Sequence, residues 1–168
     1  MNQTFTIYTD GSARGNPGKG GYGAIIMFRN GDKIEKVTLS QGYRYTTNNR
    51  MEITGVLKAL EWVTNNIGKG QTIQIYTDSQ YVANSINLRW LDKWEINHWY
   101  RDRTKMSVVK NRDLWEMINS LRKDHNLSIS HVAGHADNMF NIEADALAVA
   151  AATSEDESTF IEDAGYKH

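Results

Sequence analysis

The sequence predicts an α/β protein built on a mixed β-sheet with flanking helices. Three hairpin-like strand segments open the chain, a long amphipathic stretch follows, and the pattern then alternates between strand and helix. All of this fits in 168 residues with no internal repeat and no interdomain linker, which predicts one compact unit with a sizeable core.

The elements follow in order. Residues 5–9 alternate as a strand does and run into an Asp10-Gly11-Ser12 turn. Gly15-Asn16-Pro17-Gly18 is loop chemistry, and residues 22–29 and 33–43 read as two further strands joined at Asn30-Gly31, a strong hairpin signal. Thr46 or Thr47 offers an N-cap for a helix to about Asn66, with Met51, Val56, Leu60 and Val63 among its apolar positions and Gly68 as a left-handed stop. Residues 72–77 form a β-branched strand ending at Asp78. Helices are expected over 79–86, 113–125 and 141–152, and a fifth strand over 127–132. Residues 1–152 therefore make the predicted domain, and residues 153–168, acidic and without periodicity, are expected to be a flexible tail.

Composition narrows the function classes. No apolar run approaches the ~18 residues of a membrane span, and the opening residues lack the basic start, apolar stretch and cleavage site of a secretory signal, so none is expected. With no cysteine, disulfides, thiolate zinc sites and cysteine nucleophiles are excluded, and a cytoplasmic location is expected. The net charge of −1 is unevenly spread. Residues 89–112 hold seven basic residues (Arg89, Lys93, Arg101, Arg103, Lys105, Lys110, Arg112) against three acidic ones. Such a segment is either a solvated helical face or a hold on a polyanion.

Four carboxylates carry the chemistry. Asp10 ends the first strand and Asp78 the fourth. If those strands are parallel neighbours, both side chains emerge at the sheet's carboxyl edge, where open α/β sheets place ligands. Glu52 lies in the first turns of the long helix and Asp145 near the start of the last. Singly these are a turn residue, an N-cap, a first-turn acid and a surface acid. Together they would repel unless hard cations neutralised them, and magnesium suits a site of a few carboxylates plus phosphate oxygens. Two lures fall away. The glycines at 18, 20, 21 and 23 precede a strand rather than a helix, and His131 with His135 do not share a helix.

Thr9-Asp10-Gly11-Ser12, Thr47-Asn48-Asn49-Arg50-Met51-Glu52, Tyr76-Thr77-Asp78-Ser79, Gly134-His135 and Ala144-Asp145-Ala146-Leu147-Ala148 resemble, in order, the motifs of type 1 ribonucleases H across nearly the whole chain. The resemblance implies a ribonuclease H-like fold: a five-stranded mixed sheet, its first three strands antiparallel and strands 1, 4 and 5 parallel. It implies an endonuclease that cuts the RNA strand of RNA–DNA hybrids with two Mg2+ ions (Mn2+ as substitute), leaving 5′-phosphate and 3′-hydroxyl ends. Asp10 would bridge both metals, with Asp145 completing one site and Glu52 and Asp78 the other, and His135 would assist proton transfer or product departure. Asn16, Asn48, Asn49 and Gln80 would contact the RNA strand, the short amides reading its 2′-hydroxyls. Thr47 and Asn111 match a DNA-phosphate pocket. Trp90 and Trp94, with Trp99 beyond them, resemble the basic protrusion that grips the DNA strand in bacterial members of the family, although tryptophans at this spacing are normally core.

Departures from the family pattern are Tyr45, where the phosphate pocket usually has an arginine, with Arg44 beside it as a candidate substitute, and Asp137, where a glycine is common. They bear on affinity and cleavage preference rather than on the metal ligands. The rival readings are a transposase-like or junction-resolving nuclease, a purely structural α/β domain, and an inactive hybrid-binding module. A monomer is expected.

Overall fold

The computed structural model describes residues 4–102, 104, 106–133 and 138–166. Its elements are β1 (Thr4–Arg14), β2 (Gly18–Asn30), β3 (Lys33–Thr46), α1 (Asn48–Asn66), β4 (Thr72–Thr77), α2 (Gln80–Asn87), α3 (Trp90–Ile96), α4 (Arg112–Arg122), β5 (Asn126–His131), α5 (Met139–Ala152) and β6 (Phe160–Ile161). The sheet order is β5-β4-β1-β2-β3-β6. Pairs β1/β2 and β2/β3 are antiparallel, while β1/β4, β4/β5 and β3/β6 are parallel. The mixed α/β architecture is the expected one, with six strands where five were predicted.

Side chains alternate across each strand. On one face Phe5, Ile7, Ile26, Ile73 and Ile75 meet Ile53, Val56, Leu57 and Leu60 of α1 in a core closed to solvent. On the other, Tyr8 and Tyr76 stack at 5.1 Å between centroids, and Phe140 of α5 lies 5.3 Å from Tyr8. No helix among the described residues is long and apolar enough to cross a membrane.

Three boundary expectations are corrected. The Asn30-Gly31 hairpin turns one residue later, around Gly31 and Asp32, because Asn30 pairs with Lys33; Gly31 supplies the positive φ of 65°. β1 does not stop at Asp10-Gly11-Ser12 but continues antiparallel to β2 as far as Arg14. Residues 153–166 are no frayed tail: they turn through a short 3₁₀ segment at Glu157–Thr159 into β6, with Phe160 only 1% exposed. An apolar pair, Phe160-Ile161, fills and extends the edge of β3, and that burial outweighs the acidic composition around it.

Candidate metal and nucleic-acid site

The last parallel pair between β1 and β4 is Thr9 with Thr77, so Asp10 and Asp78 follow it side by side. Thr47 caps α1, its Oγ1 accepting from Arg50 N at 3.2 Å, and the first turn and a half of that helix carries Asn48, Asn49 and Glu52. α1 reaches β1 so closely that a Cβ on Gly11 would sit 2.4 Å from the Glu52 nitrogen. Only glycine permits that approach. The Gly11 N–H then donates to Asp10 Oδ1 at 2.8 Å and to Glu52 Oε1 at 3.1 Å, binding the two acids to one backbone group.

Ligand oxygens of Asp10, Glu52 and Asp78 all lie within 4.8 Å of one another. Asp10 is 7% and Glu52 9% exposed, whereas Asp78 is open to solvent. Burial pushes the Asp10 carboxyl up to about 7; the hydrogen bond to Glu52 opposes this, and the Asp78 charge and Asp145 add to it. Burial likewise holds Glu52 well above the carboxylate range, with the Asp10 charge second. Glu52 Oε2 is buried with no hydrogen-bond donor toward it among the described residues. A crowd of acids with one buried oxygen left over fits a divalent cation, which supplies the missing positive charge.

Asp145 comes from α5, which begins earlier than expected at Met139, so this residue sits mid-helix; it is solvent-exposed, and its carboxyl meets that of Asp10. Asn138 caps this helix by accepting from Phe140 N and Asn141 N at 2.8 and 3.3 Å. Asn141, which the sequence marked only as a helix start, lines a shallow crevice with Thr9, Asp10 and Asp78. His131, which the sequence set aside as a zinc ligand and gave no other role, donates from Nε2 to the Asp78 carbonyl at 3.2 Å and ties β5 to the site. His135, with Gly134 and Asp137 of the same stretch, and Arg103 and Lys105 of the basic segment lie outside the described residues.

Around this centre, Asn16 Oδ1 accepts from Asn48 N at 3.2 Å, which joins the β1–β2 loop to the start of α1. Asn49 is exposed beside them. Gln80 opens α2 and donates from Nε2 to Asn84 Oδ1 at 2.8 Å. Trp90, Trp94 and Trp115 form a chain of rings 5.8 and 5.9 Å apart, with Tyr81 6.1 Å from Trp90. Trp90 and Trp94 are half-buried, Trp94 packed against the core, and with Lys93, Arg101 and Lys110 they line a groove of about 560 Å³. Asn111 stands at φ 60° before α4, with Arg50 Nη1 donating to its Oδ1 at 3.3 Å.

Arg50, quoted above within a motif but given no role, is the largest omission of the sequence reading. It is 2% exposed and held by two carboxylates, donating to Asp113 at 2.9 and 2.7 Å and to Asp163 at 2.7 and 2.9 Å. Two bidentate carboxylates raise its pKa further, outweighing the burial that lowers it. Arg44, the candidate stand-in for the missing arginine, is engaged elsewhere: it donates to Glu162 Oε1 at 2.8 Å and to the Glu157 carbonyl at 3.3 Å.

A mixed sheet that gathers a buried acidic cluster at the end of paired parallel strands has a place for a divalent cation, and comparison with known proteins gives its family. The RNase H family model matches residues 2–153. Ribonuclease H of Desulforamulus reducens is 42% identical over 148 residues, covering 88% of this chain and 87% of that protein. The crystal structure of LC9-RNase H1, a type 1 RNase H with the type 2 active-site motif, superposes with a TM-score of 0.80 at 27% identity, over 99% of this chain and 80% of that one. The foamy viral protease-reverse transcriptase, solved in complex with RNA/DNA hybrid, matches with a TM-score of 0.73 at 25% identity, over 90% of this chain and 20% of that one. This chain belongs to the ribonuclease H family.

Proposed function

We propose that this protein is an endonuclease hydrolysing the RNA strand of RNA–DNA hybrids, using two magnesium ions held by Asp10, Glu52, Asp78 and Asp145. The observation that carries the proposal is the buried Asp10–Glu52 pair, with its raised pKa values and its orphaned Oε2. Such a pair gains from cations and loses without them. Hard cations at these carboxylates would offset charge on the scissile phosphate and make a water nucleophilic near neutral pH. The protein's own residues do the positioning. The Gly11 N–H holds Asp10 and Glu52 in one orientation, and His131 fixes the carbonyl of Asp78. Asn16, Asn48 and Asn49 present amides that both donate to and accept from a ribose 2′-hydroxyl, the group that separates RNA from DNA. Thr47 and Asn111 face the DNA strand's phosphates, while Trp90 and Trp94 offer rings beside Lys93 and Arg101. His135 moves protons or helps product leave. In this reading the protein acts in the cytoplasm as a monomer.

The testing variant is Asp10→Asn, which keeps shape and removes charge. Cleavage of a hybrid in magnesium should fall by about a thousandfold, equivalent to ~4 kcal/mol of transition-state stabilisation, while hybrid affinity stays within a few fold. Unchanged turnover would remove Asp10 from the metal site.

A further inference from the structure

We propose that the C-terminal strap from Phe160 to Tyr166 forms one wall of the hybrid-binding groove, and that Tyr166, together with Tyr45, contacts the DNA strand. The inference rests on the reading of the site as a hybrid nuclease and adds a substrate contact where the family pattern has an arginine.

The strap is anchored at three points. Phe160 and Ile161 pair with Gly42 and Tyr43 at the edge of the sheet. Asp163 accepts from Thr46 Oγ1 at 2.7 Å and from Arg50 Nε at 2.7 Å, gripping the residues on both sides of Thr47. Gly165 then lies flat on the Arg50–Asp113 ion pair, so closely that a Cβ there would stand 1.7 Å from Asp113 Oδ2. This path delivers Tyr166 to Tyr45, the ring centroids 5.7 Å apart at 52°.

What Tyr166 reaches is the substrate side. A groove of about 850 Å³ runs between the two strand-binding sets and is lined by Asn16, Thr47, Lys110, Asn111 and Tyr166. The strap's acids do not turn a bare negative charge toward a phosphate: Glu162 is paired with Arg44 and Asp163 with Arg50, and just before the strap Glu157 is paired with Lys19. Lys110 has no carboxylate partner among the described residues and remains for a phosphate. Ring faces at 45 and 166 suit a deoxyribose, whose C2′ carries no hydroxyl to desolvate, better than a ribose. Asp163 acts as a positioning residue in this arrangement and Tyr166 as a binding residue.

The experiment uses the full chain with a hybrid whose strands are labelled separately. For Tyr166→Ala the Michaelis constant for hybrid should rise roughly fivefold or more, as expected for loss of an aromatic contact, with kcat within about twofold and an unchanged unfolding midpoint. Tyr166→Phe, which keeps the ring, should restore most of the affinity. A photocrosslinking benzoylphenylalanine at position 166 should label the DNA strand. An unchanged Michaelis constant, crosslinking to the RNA strand alone or to neither strand, or tighter binding by Tyr166→Ala (the strap then being a competitor of the substrate) would each overturn the inference. Wild-type protein run in parallel separates the two readings: if it leaves hybrid uncut, the nuclease reading fails, and if it cuts while Tyr166→Ala behaves identically, only the strap inference fails.

Discussion

Asp10 and Glu52 are buried acids that share one backbone donor, the Gly11 N–H. Folding raises the Asp10 pKa from its ordinary 3.8 to about 7, so the folded state binds this proton more tightly than the unfolded chain does. Stability in a chelator is therefore fully present below about pH 4 and is lost as pH climbs toward 7, by roughly 4 kcal/mol if the group acted alone. The account predicts that Asp10→Asn matches wild type at pH 4 in EDTA, exceeds it by several degrees in melting temperature at pH 8, and loses that advantage when magnesium is added. A variant less stable than wild type at pH 8 in EDTA would mean that the pair is held by something other than its missing cation. At this scale the grouping of Asp10, Glu52 and Asp78 was legible, because two strand ends and the start of a capped helix mark them in local sequence; Asp145 was placed near a helix start and stands mid-helix instead. Arg50 was not legible, because its partners Asp113 and Asp163 stand 63 and 113 residues away and no local pattern joins them.

Each element brings its residues to the site by a specific local device. Gly11 lets α1 press against β1, Thr47 caps that helix, and Asn138 caps the helix carrying Asp145. The strap contributes a third kind of support, a buried carboxylate. Asp163→Ala should lower unfolding stability by about 3 kcal/mol, because it leaves Arg50 buried with one of its two partners gone. Glu162→Ala, which removes an exposed pair with Arg44, should stay within about 0.5 kcal/mol of wild type. Urea unfolding of both variants checks this, and equal effects would show that the strap is not pinned through Asp163. The hairpin, the capped helix and the βα alternation could be read from periodicity and caps. The strap could not, since Phe160 and Ile161 stand alone among acidic and polar neighbours, fall below any periodic signal and become a strand only when the edge of β3 is present to pair with. The extension of β1 beyond Asp10 was hidden for the same reason: Gly11 and Ser12 look like a turn until β2 lies alongside.

For the molecule as a whole, the sheet order sets what can meet. Placing β1 between β4 and β2 puts Asp10 beside Asp78 and brings α1 over one face and α5 over the other, while the basic α3 region and the strap line two grooves that share Asn49, Lys110 and Asn111. The near-neutral net charge then conceals a local arrangement: acids gathered in one cluster that could hold a cation, and bases and aromatic rings along the neighbouring grooves. The central claim is that this arrangement cuts one strand of one kind of duplex and needs divalent metal to do so. Its most direct test is cleavage of a labelled RNA strand paired with DNA, with and without magnesium, beside RNA–RNA and DNA–DNA duplexes of the same sequence. Magnesium-dependent cutting of the RNA in the hybrid alone is the predicted result, and cutting of duplex DNA, or tight hybrid binding with no cutting in magnesium, would contradict it.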